Sequence, residues 1–208
     1  MMNATRRTTT AYGVVLAIAG MEHGVGEVLQ GNKAPDAIGI LSWPDSEHYE
    51  ILAWEPAMTI IPNLLISGIL TILLSILIIF WTVRYIHTKY GPLVLFGMLV
   101  LLLLVGGGYG PPIMGFIVVI FSTKINSDHK WLRTSFSDNL RNKLAKLWPY
   151  SLTVGILAYF SLWPGMVILS MLFGIADALL MATMTILAFT LLILSLGSSL
   201  VHDSVLRD

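Results

Sequence analysis

The chain has 208 residues, of which 56% are hydrophobic and only 12% are charged, and its mean hydropathy is +0.80. Soluble domains carry about a quarter charged residues, so this composition excludes an ordinary soluble domain and predicts a polytopic helical membrane protein. The chain has no cysteine, which excludes disulfides, thiol catalysis and cysteine-ligated metal centres. The formal net charge is zero, but the charges are segregated along the chain.

The N-terminal segment combines Arg6 and Arg7 with a short apolar core and an A-x-A pattern at 17–19, as a signal peptide does. We interpret it as a retained first membrane helix at about 11–30. Further spans are predicted at about 57–83, 92–108, 111–125, 150–173 and 177–200. The run LLISGILTILLSILIIFWTV at 64–83 matches the ~20 residues that a helix needs to cross the hydrocarbon core.

The sequence GGGYGPP at 106–112 divides the third predicted span from the fourth, because glycine and proline runs end helices. Charge supports a hairpin there. It puts the acidic loop 31–56 on one side of the membrane and all the basic segments on the other, in keeping with the positive-inside bias. These basic segments carry Arg6, Arg7, Arg84, Lys89, Lys124, Lys130, Arg133, Arg141, Lys143 and Lys146. We therefore predict an all-α bundle of about six transmembrane helices, forming one membrane domain over 1–208, with both termini cytoplasmic.

Two breaks are expected in the last quarter of the chain. Residues 174–177 should separate the fifth helix from the sixth, with Asp177 as N-cap of the sixth, and Pro164 should kink the fifth. Residues 124–149 form the predicted basic cytoplasmic loop. Within it, 135–148 is predicted to be an interfacial amphipathic helix with Ser135 and Asp138 at capping-box spacing.

The first predicted span contains three ionisable residues, Glu22, His23 and Glu27. Helical geometry puts His23 and Glu27 on a polar, glycine-rich face, four residues apart, where their side chains can meet. An intramembrane ionisable residue costs a few kcal/mol unless it is paired or hydrated. The pair is either structural, pinning two helices together, or functional, and we favour function. His23 and Glu27 are also the candidate metal ligands.

Other polar features are predicted to converge on the outer half of the membrane. Asn63 begins the second helix and is followed on one face by a stripe of Ser67, Thr71 and Ser75. Tyr109 in the GGGYGPP turn belongs to the same side. The predicted ligand-binding residues are therefore Glu22, His23, Glu27, Asn63, Ser67 and Tyr109. The hydroxyl stripe has an alternative role in helix packing.

Three functional hypotheses remain open at this point. The first is a small multi-pass protein, in a prokaryotic plasma membrane, that binds or moves a small molecule, lipid or cation, with proton linkage through the His–Glu pair. The second is an intramembrane lipid-modifying enzyme. The third is an accessory subunit that forms a homo- or hetero-oligomer through the Gly20/Gly24 face. Common hydrolase and nucleotide motifs are absent, no nucleic-acid partner is expected, and no cofactor is indicated.

Overall fold

The computed structural model describes residues 3–206, which form eight α-helices and one two-stranded sheet. The helices are α1 (Ala4–Gln30), α2 (Leu64–Tyr85), α3 (Gly91–Leu104), α4 (Gly110–Ser122), α5 (Lys130–Ser135), α6 (Asp138–Phe160), α7 (Met166–Phe173) and α8 (Ala178–Val205). The strands β1 (Gly39–Leu41) and β2 (Pro56–Met58) pair antiparallel, and a 3₁₀ helix, Glu47–Leu52, lies between them. The all-α class is confirmed.

Three helical segments in the described residues are long and apolar enough to cross a membrane: Leu64–Tyr85, Asp138–Phe173 and Ala178–Val205. The chain is therefore a helical membrane protein. The two helices α3 and α4 are shorter, with 14 and 13 residues. Each is roughly 20 Å long at 1.5 Å per residue, against about 30 Å of hydrocarbon.

Helix α1 is the central helix of the bundle and is buried on the predicted face. Gly20 packs against Leu102 of α3 and Ser75 of α2, while Gly24 packs against the backbone of Gly68. The Gly20/Gly24 face is thus covered by helices of the same chain. The opposite face is exposed at Ile18, Val25 and Leu29.

Helices α3 and α4 form the hairpin predicted at GGGYGPP. Phe96 and Phe116 contact each other across it, and Gly115 packs against Leu99. The carbonyl group of Val105, where the turn begins, accepts hydrogen bonds from the hydroxyl groups of Ser67 and Thr71, at 2.7 and 2.5 Å. The hydroxyl stripe of α2 therefore holds the turn in place.

The predicted bounds of the helix at 135–148 were wrong in two respects. Ser137, and not Ser135, is the N-cap, and the helix does not end before the span predicted from 150 but continues as α6 from Asp138 through Pro149 to Phe160. The helix continues because it packs on α8 on both sides of the proline. Ala145 belongs to a cluster with Leu200 and Val201, and Ser151 hydrogen-bonds to Ser198 at 3.1 Å.

The two predicted breaks are confirmed. The backbone departs from helical geometry at Trp163, immediately before Pro164, and residues 174–177 separate α7 from α8. The Asp177 carboxylate caps α8 by accepting a hydrogen bond from the Leu180 N–H at 2.7 Å.

Thr59 pairs with Val105 at the GGGYGPP turn, and Leu52 and Glu55 lie beside Met181 near the start of α8. Residues 31–63 therefore lie at the same end of the bundle as this turn and the start of α8, and we call this the acidic end.

The other end, which carries Arg84, Lys89 and the 124–137 loop, is the basic end. Both described termini meet there. The Asp203 carboxylate of α8 accepts hydrogen bonds from the backbone N–H groups of Ala4 and Thr5, at 2.7 and 2.9 Å, and from the Thr5 hydroxyl at 2.6 Å. A buried carboxylate at a helix N-terminus satisfies N–H groups that have no intrahelical partner.

Candidate functional site

His23 is held at the acidic end by two residues that flank the small sheet. Its Nδ1 lies 2.8 Å from the Ser42 hydroxyl, and its Nε2 lies 3.2 Å from Glu55 Oε2. Ser42 and Glu55 face each other one position beyond the β1–β2 pairing, and the Ser42 N–H donates to the Glu55 carbonyl at 3.0 Å. Both nitrogens of the imidazole ring therefore contact a pair of residues that are hydrogen-bonded to each other, and we call His23 the clamped histidine.

The backbone before β2 turns Glu55 towards α1. Ala53, Trp54 and Glu55 all have left-handed φ angles, of 51°, 56° and 52°. A left-handed residue other than glycine costs about 1–2 kcal/mol. Hydrogen bonds from the Trp54 and Glu55 N–H groups to the carbonyl groups of Tyr49 and Leu52 support this run. Strain of this kind is concentrated at functional sites, where a side chain must be held in one position.

Glu22 brings a second carboxylate to the same place. One donor atom from each of Glu22, His23 and Glu55 lies within 4.8 Å of the others. The Glu22 carboxylate lies beside Tyr49 and Trp43, whose rings stack on each other with centroids 4.6 Å apart. Within residues 3–206, neither of its two buried oxygens accepts a well-directed hydrogen bond.

The electrostatics of this group are unusual for an acidic segment. Burial, followed by the neighbouring Glu22, raises the pKa of Glu55 well above its ordinary value of 4.5. Burial and the same carboxylates also raise the pKa of Tyr49. In the described part of the chain no lysine or arginine forms an ion pair with Glu22 or Glu55. Two buried carboxylates this close need a proton or a bound cation between them.

The glycines of the hairpin turn allow it to lie directly on the polar face of α1. A β-carbon at Gly108 would overlap the His23 ring, and one at Gly106 would overlap the Glu27 carboxylate. Both glycines have positive φ, 73° and 109°, which side chains disfavour. The turn therefore packs against the His23 ring, nearest its Nε2 atom, and this close approach requires glycine at both positions.

A cavity of about 350 Å³ opens beside the clamped histidine. Its polar end is His23 and Glu55, and most of its wall is apolar or aromatic, from α4, α6, α8 and the loop before α7. The wall includes Met114, Tyr159, Leu162, Trp163, Met181 and Phe189. Known small-molecule sites have volumes of about 300–1,000 Å³ and mostly apolar linings with a few polar groups.

Some of the predicted site residues lie at the cluster or the cavity, and others do not. Glu22 and His23 lie in the cluster, and Tyr109, 38% exposed, lines the cavity. Asn63 is the half-buried N-cap of α2 and donates to Asn32 Oδ1. Ser67 hydrogen-bonds to Thr59 and to the hairpin turn, outside the cavity wall.

Glu27 is fully buried beneath Gly106, and its carboxylate faces the hairpin turn. The residues that bond to His23 are Ser42 and Glu55, so the expected i, i+4 pair with Glu27 is replaced by contacts from the acidic segment.

Sequence reasoning missed Ser42 and Glu55. They lie in the segment predicted as the acidic loop 31–56, whose other carboxylates, Asp36, Asp45, Glu47 and Glu50, are exposed. Glu55 differs in having a side chain only 12% exposed. The available signal was its position between Trp54 and Pro56, since an acidic residue inside an apolar run is a candidate for burial.

The order Ser42–His23–Glu55 resembles the hydrogen-bonded chain of serine hydrolases. Ser42 is fully buried, however, and does not line the cavity, whereas His23 and Glu55 do. A nucleophile must be reachable by its substrate, so the geometry assigns Ser42 the role of orienting the His23 ring.

The site and fold together define a helical membrane protein with a clamped histidine and two carboxylates at one end of its bundle. The chain matches no family model, no curated protein and no solved structure.

Proposed function

We propose that this membrane protein binds a small amphipathic, lipid-like molecule in the cavity at its acidic end. The observation that carries the proposal is the cavity itself, in which apolar walls lead to one polar end formed by His23 and Glu55. An apolar body would fill the aromatic part, and a polar head group would hydrogen-bond to the clamped pair.

Binding is favoured over transport by the packing below the cavity. The space between α1, α4, α6 and α8 on the basic side is filled by a hydrophobic cluster that includes Tyr12, Leu16, Val118, Leu192 and Leu196. Since a carrier needs a polar path to both sides, this conformation supports a pocket open at one end.

The membrane arrangement is part of the same proposal. Six crossings, with α3 and α4 as a short hairpin and both termini cytoplasmic, would put the acidic end in the outer half of the bilayer. The cavity would then be within reach of lipids of the outer leaflet.

A second candidate, an intramembrane enzyme, is favoured by one observation. His23 and Glu55 face the cavity, and the Ser42 hydroxyl fixes the ring. A histidine oriented in this way can act as a general base on a bound substrate. In the experiment below, a mass change in the bound molecule would favour this candidate over simple binding.

The test is native mass spectrometry of the protein purified in mild detergent, followed by identification of bound molecules. Thr185 of α8 lines the cavity, whereas Thr183 on the same helix is exposed and outside it. Both hydroxyl groups bond to the carbonyl group four residues earlier, so Thr185→Trp and Thr183→Trp form a matched pair. We expect wild type and Thr183→Trp to retain a bound amphipathic molecule and Thr185→Trp to lose it. Equal retention by both variants would refute the cavity as the site.

A further inference from the structure

We propose that Glu22, His23 and Glu55 bind a divalent first-row transition-metal ion, with the cavity supplying an open coordination position. This metal site is distinct from the proposed ligand pocket. It rests on the proposed function only for the group that would fill the open coordination position.

The spacing of the three donors is suitable for a shared metal ion. His23 Nε2 and Glu55 Oε2 are 3.2 Å apart, close to the roughly 3.4 Å between tetrahedral ligands that are each about 2.1 Å from a zinc ion. The Glu22 oxygen lies within 4.8 Å of both. A movement of up to about 1.4 Å by the Glu22 side chain would bring it to the same separation.

The second nitrogen of His23 is bound as in known metal sites. Metal-ligating histidines almost always donate their other N–H to an oxygen, which fixes the tautomer and the ring orientation. Ser42 Oγ lies 2.8 Å from Nδ1 and can accept this hydrogen bond, which leaves Nε2, 3.2 Å from Glu55 Oε2, unprotonated and free to bind a metal ion.

The charge balance also favours a cation. The cluster combines two carboxylates with a histidine, and the buried Glu22 oxygens accept no well-directed hydrogen bond in the part of the chain that the structure describes. A +2 ion between Glu22 and Glu55 would neutralise both carboxylates and satisfy those oxygens.

The donor set limits which metal fits. One imidazole nitrogen and two carboxylate oxygens, without sulfur, suit ions such as Mn²⁺, Fe²⁺, Co²⁺ and Zn²⁺. The all-oxygen sites of Ca²⁺ and Mg²⁺ have no imidazole. His23 and Glu55 also line the cavity, so a water or an oxygen atom of the bound amphipathic molecule would complete the coordination from that side.

The experiment measures metal binding to the full chain in detergent, with no lipid added. Protein treated with chelator is titrated with Co²⁺ and, separately, with Zn²⁺, and bound metal is counted by elemental analysis after dialysis. We expect one ion per chain for wild type. Glu22→Gln, His23→Gln and Glu55→Gln should each weaken binding at least ~10-fold, and Ser42→Ala by roughly 10–100-fold.

Two matched controls separate the site from general acidity. Glu50→Gln changes an exposed carboxylate of the same segment, and Glu27→Gln changes a buried carboxylate of the same helix outside the cluster. Both should bind metal as wild type does. Binding lost in Glu27→Gln but kept in Glu55→Gln would overturn the proposed ligand set.

If a variant fails to fold, the visible absorption spectrum of the wild-type protein with Co²⁺ bound still tests the proposed site. Bands of a low-symmetry site with a nitrogen ligand in wild type support the proposal, and the spectrum of hexa-aqua Co²⁺ overturns it. The two proposals fail separately, because metal binding without a bound amphipathic molecule refutes only the pocket, and the reverse result refutes only the metal site.

Discussion

At the residue scale, the site depends on side chains that each contact two different elements. His23 leaves the central helix and is bonded at one nitrogen to Ser42 and at the other to Glu55. Gly108 covers the ring from the hairpin turn, where a β-carbon would overlap it. A substitution at this glycine therefore tests how tightly the turn and the histidine are packed.

We predict that Gly108→Ala lowers the free energy of unfolding by about 2 kcal/mol or more. The added methyl group would clash with His23, and alanine, unlike glycine, is strained at the positive φ of this position. The measurement is thermal unfolding in detergent. The matched control is Gly97→Ala in α3, where a β-carbon meets nothing within 4 Å. Alanine there should leave stability unchanged or raise it by up to about 1 kcal/mol. Equal melting temperatures for the two variants would contradict the packing described.

At the scale of elements, the bundle is closed by a contact between its first and last helices. Asp203, 2% exposed near the end of α8, accepts three hydrogen bonds from the first turn of α1. Asp177 plays a local part by comparison, because it is exposed and caps only its own helix. A comparison of Asp203 with Asp177 therefore distinguishes the stability gained from a tertiary contact from that gained from a local helix cap.

We expect Asp203→Ala to lower the free energy of unfolding by about 3 kcal/mol, since it leaves buried N–H groups of α1 without a partner. Asp177→Ala should lower it by about 1 kcal/mol, as is usual for loss of an N-cap. Denaturation of both variants in parallel in the same detergent measures the difference. A larger loss for Asp177→Ala would show that the contact between α1 and α8 adds little.

At the scale of the whole molecule, opposite ends of the bundle differ in charge and in chemistry. The acidic end holds the clamped histidine and the cavity, and the basic end holds the contact between the two helices near the termini. The hydrophobic cluster of Tyr12, Leu192 and Leu196 lies between them. The proposed outer-leaflet position of the cavity depends on which end faces which side of the membrane.

The chain lacks cysteine, so single cysteines can be introduced to report the topology. Asp45→Cys marks the acidic end, and Lys130→Cys marks the basic end; both positions are exposed. In intact cells, a membrane-impermeant maleimide should label Asp45→Cys and leave Lys130→Cys unlabelled until the membrane is opened. Labelling of both, or only of Lys130→Cys, would contradict the proposed orientation.

Local sequence properties determined much of the fold. Hydropathy identified the apolar helices, because a helix in lipid must be apolar along its length. Several starts were misplaced, since α1 begins at residue 4 and not about 11, α2 at 64 and not about 57, and α6 at 138 and not about 150. The 3.6-residue period of α1 separated the buried glycine face from the exposed Ile18, Val25 and Leu29. Turn chemistry located the breaks at 106–109, where three consecutive glycines follow α3, and at 174–177, where Gly174 ends α7 and Asp177 caps α8.

The partners of His23 were decided only by the tertiary structure. The i, i+4 rule applies only to residues of the same helix, and it predicts that His23 pairs with Glu27. Ser42 lies 19 residues from His23, and Glu55 follows still further along. Both reach His23 because the register of β1 on β2 sets them opposite each other and three left-handed residues turn Glu55 inwards. Non-local strand pairing and a strained backbone leave no period in the sequence, so the site emerged only when the chain was folded.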